Sequence, residues 1–126
     1  MDMEVIGTDE FTAWYGALSE AGAEAVTRAV NLLERLGTEQ DHVAAVELYP
    51  RLGMSGALKL FELWVVGSPL RVLFALEDPE RAVLLYGYDA DTELRVGSPR
   101  QLPAVAHALL AANVYRLYRA AKSGAA

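Results

Sequence analysis

The sequence predicts an α+β domain: a small twisted antiparallel sheet with an N-terminal helical hairpin on one face and a C-terminal helix, in the order β-α-α-β-β-β-α. Two observations carry this. Leu58 to Tyr88 contains three apolar runs, Leu58–Val66, Leu70–Leu76 and Ala82–Tyr88, separated only by Gly67-Ser68-Pro69 and Asp78-Pro79-Glu80. Breaks this short join antiparallel neighbours, because a parallel return needs a crossover of roughly a dozen residues. Residues 10–36, by contrast, place apolar side chains at helical spacing on both sides of Ser19.

Taking the elements in order, Met3–Thr8 alternates weakly and reads as a first strand. Asp9 is the expected N-cap of a helix over Glu10–Leu18, with Phe11, Trp14, Tyr15 and Leu18 on its inner face. Ser19 caps a second helix, Glu20–Leu36, whose stripe is Val26, Ala29, Val30, Leu33 and Leu36; Gly37 stops it. Thr38 to Gly56 is irregular and reads as a long loop draped over a sheet edge, with a possible extra helical turn in Val43–Leu48. After the meander come an acidic turn, Asp89 to Glu93, and a short Leu94–Gly97 segment. A last helix follows over about Pro103–Ala121, with Leu102, Ala106, Leu109, Leu110 and Leu117 as its expected core face. The first strand is expected to join the meander, and the hairpin to cover one face of it. The other face is expected to be concave, polar and uncovered.

That other face is where chemistry concentrates. Side chains alternate along a strand, so Leu58, Leu60, Glu62, Trp64 and Val66 share one face, and Lys59, Phe61, Leu63 and Val65 the other. A turn centred on Gly67-Ser68 sets Trp64 opposite Arg71 and residue 62 opposite 73. The guanidinium then lies beside the indole, with Glu62 diagonal to it. Arg71 can clamp a phosphate or pair with Glu62 as a structural bridge, and both readings stand at this point.

Composition bounds the function. The 126 residues suit a single domain over 1–126, and 53% hydrophobic content supports a core. The absence of cysteine excludes disulfides, thiolate nucleophiles and cysteine-held zinc, and fits a cytoplasmic protein. The opening MDMEVIGTDE is acidic where a secretory leader is basic, and no apolar run has a membrane-spanning length, so no membrane is expected. Net charge is −6 but uneven: residues 1–47 carry ten acids against Arg28 and Arg35, and no acid follows Glu93. Either a polyanion meets the C-terminal half, which holds Arg95 and Arg100, or the charges merely keep the protein soluble, and charge alone favours the second reading. His42 and His107 lack partners at ligand spacing, and no phosphate loop or serine-nucleophile motif is present, so neither metal nor cofactor is expected.

Tyr49-Pro50-Arg51, then Leu60-Phe61-Glu62-Leu63, Arg71-Val72-Leu73-Phe74-Ala75 and Leu84-Leu85-Tyr86-Gly87-Tyr88, after a strand and two helices, resemble the HigB-like toxins of the RelE/ParE superfamily. The likeness runs from about residue 3 to residue 120. It implies a metal-independent endoribonuclease that cuts mRNA on the ribosome, and a cognate antitoxin of helix-turn-helix type that covers its active face. It implies catalytic roles for Arg71, Glu62 and Tyr88, and RNA contacts from Arg51, Lys59, Trp64, Tyr86, Arg95 and Arg100. Two departures stand out. Trp64 replaces the arginine of the family's Glu-Leu-Arg, and Asp89-Ala90-Asp91 replaces its lysines. These departures fit an alternative: a protein of the same fold, without catalysis, that acts by binding another protein such as gyrase or the antitoxin.

Overall fold

Thr8 shows how the sheet and the first helix are joined. It is 3% exposed. Its hydroxyl accepts from the Phe11 N–H at 3.2 Å and faces the carbonyl oxygens of Leu84 and Leu85 at 2.9 and 2.8 Å. Thr8, not Asp9, is thus the N-cap of α1, because its side chain serves the helix start and the sheet at once. Asp9 instead lies in the first helical turn, where a negative charge suits the helix dipole. The computed structural model describes residues 3–37, 45–47, 59–78, 81–90 and 104–124. The Leu94–Gly97 segment, most of the Thr38–Gly56 loop, and Arg51, Arg95 and Arg100 lie outside the described residues.

The elements are β1 (Glu4–Gly7), α1 (Asp9–Gly16), α2 (Glu20–Leu36), β2 (Ala45–Glu47), β3 (Lys59–Trp64), β4 (Leu70–Asp78), β5 (Arg81–Asp89) and α3 (Ala104–Gly124). α2 has the expected bounds: Ser19 accepts from the Gly22 N–H at 3.1 Å, and Gly37 stops the helix at φ 74°. Only glycine takes that φ without a steric cost.

The strand order is β1-β5-β4-β3-β2. β3, β4 and β5 form the expected antiparallel meander. The sheet as a whole is mixed rather than antiparallel, because β1 runs parallel to β5, from Glu4↔Arg81 to Gly7↔Leu84. Parallel pairing is possible here because α1, α2 and the meander supply the long crossover. A second departure concerns the expected helical turn at Val43–Leu48. Ala45–Glu47 is a strand that pairs with Leu63, Glu62 and Phe61 and so extends the sheet beyond the meander. A three-residue strand leaves too short a pattern to be recognised in sequence.

Two cores lie on opposite faces. On one, α1 and α2 bury Phe11, Val26 and Leu33 against Leu63, Val65, Val72, Phe74 and Leu84. Trp14 lies so close to Gly87 that a Cβ there would come within 2.4 Å of the indole ring. On the other, Ala111 and the half-buried Val114, Tyr115 and Tyr118 of α3 pack with Leu60, Leu73, Ala75, Val83 and Leu85. The second face is therefore not open along its length, contrary to expectation.

The α3 core face also differs from expectation. Leu110 and Leu117 are 49% and 48% exposed. Ala111 turns inward because its small side chain allows close approach to the sheet, and Tyr115 turns inward because its hydroxyl reaches Glu77 Oε2 at 2.7 Å. Side chains at 104–109, which include Ala106 and Leu109, are outside the description.

Candidate functional site

The second sheet face also carries a polar row. The register sets Trp64 opposite Arg71 and Arg71 opposite Tyr88, so one residue from each of β3, β4 and β5 lies in line. Adjacent strands are about 4.8 Å apart, which brings these three side chains into mutual reach. The next row is Glu62, Leu73 and Tyr86. A register shift between Leu73 and Phe74 lets Leu85 and Tyr86 both pack on the α3 side of β5, and Tyr86 and Tyr88 meet that core.

Glu62 organises the cluster. Its Oε1 accepts from Trp64 Nε1–H at 2.8 Å, and its Oε2 accepts from the Tyr88 hydroxyl at 2.6 Å. Trp64 and Glu62 are two residues apart on one strand, so they share a face and the indole can lean back on the carboxylate. Both carboxylate oxygens are thereby held, and the indole is fixed in orientation.

Arg71 takes a different partner from the one a bridge requires. Its Cζ lies 5.0 Å from the Trp64 ring centroid, and one N–H donates to the Leu70 carbonyl at 3.1 Å. Among the described residues it forms no ion pair; Arg81 and Arg119 do. The Glu62–Arg71 bridge is thus not formed among them. Stacking on an indole leaves the edge N–H groups of a guanidinium available for a forked contact with an oxyanion.

Lys59 is exposed and lies opposite Leu76. It is five residues from Trp64, roughly 17 Å along an extended strand, and of opposite parity. The structure therefore does not bring Lys59 to the cluster. Glu62, Trp64, Arg71 and Tyr88 come together, with Tyr86 one row away.

A second polar cluster escaped the sequence reading. Glu77, 9% exposed at its side chain, takes the Tyr115 hydroxyl at 2.7 Å and Arg119 at 3.0 Å on Oε2. Arg81 lies 2.9 Å from its Oε1 and 3.5 Å from Glu4. Burial pushes the Glu77 carboxyl up, but the hydrogen bonds from Tyr115 and Arg119 and the charges of Arg81 and Arg119 outweigh it and hold the group below its ordinary value. Burial and the bond to Glu77 push Tyr115 up to about 12. The spacings were there to be seen: Glu77 and Arg81 flank one turn, and Tyr115 and Arg119 are four apart on a helix. Nothing local, however, tells that the two pairs meet. This cluster ties α3 to the sheet.

Among the described residues no group of three acidic, histidine or cysteine side chains is placed to hold a metal ion, and no helix is long and apolar enough to cross a membrane. No family model matches the sequence, and neither does any curated protein. The coordinates do match a solved structure, the archaeal RelE–RelB complex from Pyrococcus horikoshii OT3, with a TM-score of 0.56 over 71% of this chain and 96% of that one. The fold is RelE-like. At 14% identity the likeness is one of architecture. The polar row lies across β3, β4 and β5 of this RelE-like sheet, and its Tyr88 also packs with the core that faces α3.

Proposed function

We propose that this chain is the toxin of a toxin–antitoxin pair, of the HigB-like type, and that it binds and cleaves mRNA on the ribosome without a metal ion. The observation that carries the reading is the Arg71 guanidinium. It lies on the exposed Trp64 ring, without a carboxylate partner among the described residues, beside a carboxylate–phenol pair. The RelE-like fold supports the toxin assignment, and the RelE–RelB complex supports an antitoxin partner, here expected to be of helix-turn-helix type. The working place of such a protein is the cytoplasm.

The residues have the chemistry for transesterification. Glu62 takes the proton from a ribose 2′-hydroxyl as its oxygen attacks the adjacent phosphorus. Arg71 stabilises the charge that grows on the non-bridging oxygens. Tyr88 gives its proton to the departing 5′-oxygen and regains one from Glu62 through the hydrogen bond that joins them. A cyclic phosphate and a free 5′-hydroxyl result, and no proton is left over. Tyr86 and Trp64 contact the strand, and Arg51, Arg95 and Arg100 contribute positive charge along it.

A second reading, protein binding without cleavage, draws on the site's charge. Among the described residues the Glu62–Trp64–Arg71–Tyr88 cluster sets one cation against one anion, where a polyanion favours an excess of cations.

The two readings separate in one experiment. The protein is expressed with and without the neighbouring gene product, and transcript ends are mapped, with Arg71→Ala in parallel. The expected outcome is new transcript ends and growth arrest for the wild type alone, and neither for Arg71→Ala, which remains folded. Growth arrest without new ends would replace the nuclease by protein binding. Toxicity retained by Arg71→Ala would make that residue structural.

A further inference from the structure

We infer that Trp14 is a positioning residue for the reaction proposed above: from the opposite face of the sheet it sets the course of β5, and so brings the Tyr88 hydroxyl to Glu62. This rests on the nuclease reading and adds a residue that touches no substrate. The Tyr88 hydroxyl lies 2.6 Å from Glu62 Oε2, so Tyr88 must leave β5 on the face that Glu62 shares. Simple alternation does not put it there. Leu84 packs in the core under α1 and α2, and the residues two and four further on would follow it. Tyr86 and Tyr88 instead meet the core that faces α3, together with Leu85. A bulge makes the switch: Phe74 is opposite Leu84 and Leu73 opposite Tyr86, which leaves Leu85 as the extra residue. Without that bulge, or with it moved past Tyr88, the phenol would turn toward α1 and lose Glu62.

α1 and its cap grip β5 on both sides of Tyr86. At the bulge, the Thr8 hydroxyl lies 2.9 and 2.8 Å from the carbonyl oxygens of Leu84 and Leu85, and the Thr8 N–H donates to Leu84 at 3.0 Å. Further along, the Trp14 ring lies against the backbone of Gly87. A Cβ there would come within 2.4, 2.4 and 2.5 Å of three ring carbons, so the indole occupies the place where a side chain would stand. Gly87 thus marks a close approach, between two tyrosines that point the other way. Phe11 backs the indole at 5.9 Å between ring centroids and is itself stacked on Tyr15 at 5.8 Å. The two grips differ in what they do. Thr8 also caps α1, so its loss disturbs the helix start. Trp14 acts on the strand just before Tyr88. A smaller side chain at 14 leaves a gap behind Gly87; the strand relaxes into it, and Tyr88 withdraws from Glu62. A shift of roughly 1 Å at a reacting group costs about 100-fold in rate.

The test uses the full chain as wild type, Trp14→Leu, Trp14→Phe and Leu33→Val. The last makes a gap at the buried face of α2 and serves as the control for a general loss of packing. Urea unfolding followed by circular dichroism reports the fold of each. Nuclear magnetic resonance reports the site without any activity, through the Trp64 indole N–H signal and the Overhauser contacts between the Tyr88 ring and the Glu62 side chain. Ribosome-dependent cleavage is measured at limiting and saturating mRNA. Trp14→Leu is expected to lose the Tyr88–Glu62 contacts, to shift the Trp64 signal and to lower kcat by about 100-fold, with KM little changed because Arg71 stays in place. Trp14→Phe, which keeps a ring in the core, is expected to show a smaller loss of the same kind, and it decides the matter where Trp14→Leu does not fold. Leu33→Val is expected to lower the urea midpoint while keeping kcat and both signals. Wild-type kcat and contacts in the folded Trp14 variants, or the same losses in Leu33→Val, would overturn the positioning role and leave the nuclease reading intact. A wild type that cleaves no mRNA would overturn both.

Discussion

Gly87→Ala tests the packing that holds the site strand in place. Gly87 sits between Tyr86 and Tyr88 on β5 and faces α1. An added Cβ would lie 2.4, 2.4 and 2.5 Å from three carbons of the Trp14 ring, where carbon contacts settle at about 3.5–4.0 Å. The ring or the strand must therefore retreat by roughly 1 Å. Phe11, at 5.9 Å between ring centroids, crowds Trp14 within α1, and β5 is held by pairing on both sides. Overpacking of this kind costs about 1–3 kcal/mol, and the lower backbone entropy of alanine in the unfolded chain offsets about 0.4–1 kcal/mol of it. The expected net loss is about 1–2 kcal/mol. With a urea slope of about 1.5 kcal/mol/M, the unfolding midpoint falls by roughly 1 M. Circular dichroism follows the transition without relying on the tryptophan itself. In a Trp14→Ala background the same glycine change should cost almost nothing, and the double-mutant cycle isolates the contact. A Gly87→Ala midpoint equal to wild type, or an equal loss with and without Trp14, would refute the reasoning.

Two further outcomes follow from the polar clusters. The Glu77 carboxyl is held below its ordinary value when folded, so its contribution is present above the unfolded carboxylate range and is lost as pH falls through the folded pKa. Tyr115 is raised to about 12, so its contribution is present below the unfolded tyrosine value of about 10 and is lost as pH climbs to about 12. Glu77→Gln should lower the urea midpoint at neutral pH and flatten its acid-side dependence, measured as midpoint against pH; an unchanged acid limb would count against the clamp. Thr8→Ala removes a helix cap and the hydroxyl facing the Leu84 and Leu85 carbonyls, and should cost about 1–2 kcal/mol in urea unfolding. Thr8→Ser should recover most of it, and a serine variant no better than alanine would deny the cap its role.

The parts of the fold legible in sequence are those set by neighbouring residues. Gly67 adopts φ 86° in the turn that aligns Trp64 with Arg71, and a two-residue periodicity then carries the register down both strands. Ser19 and Gly37 mark α2 for the same local reason. What sequence reading missed is non-local. The parallel β1–β5 pairing and the bulge that turns Leu85 and Tyr86 to one side are decided by chain segments far apart. The facing of α3 is not legible from its leucines: Leu110 and Leu117 are exposed, whereas Ala111 permits close approach and Tyr115 has an acceptor on the sheet. At the site, the shared face of Glu62, Trp64 and Arg71 was readable. The choice of partner was not: the indole N–H and the Tyr88 hydroxyl satisfy Glu62 and leave Arg71 to the ring.

The anchoring of Thr8 to the Leu84 carbonyl spans 76 residues of chain. During synthesis the opening strand therefore has no partner until the last strand of the meander has emerged. The hairpin of α1 and α2 can wind early, but the surface it is meant to lie on arrives late. Long-range closures of this sort slow the final step of folding. The polar row of Trp64, Arg71 and Tyr88, built on those same late strands, is consequently assembled only after most of the chain has been made.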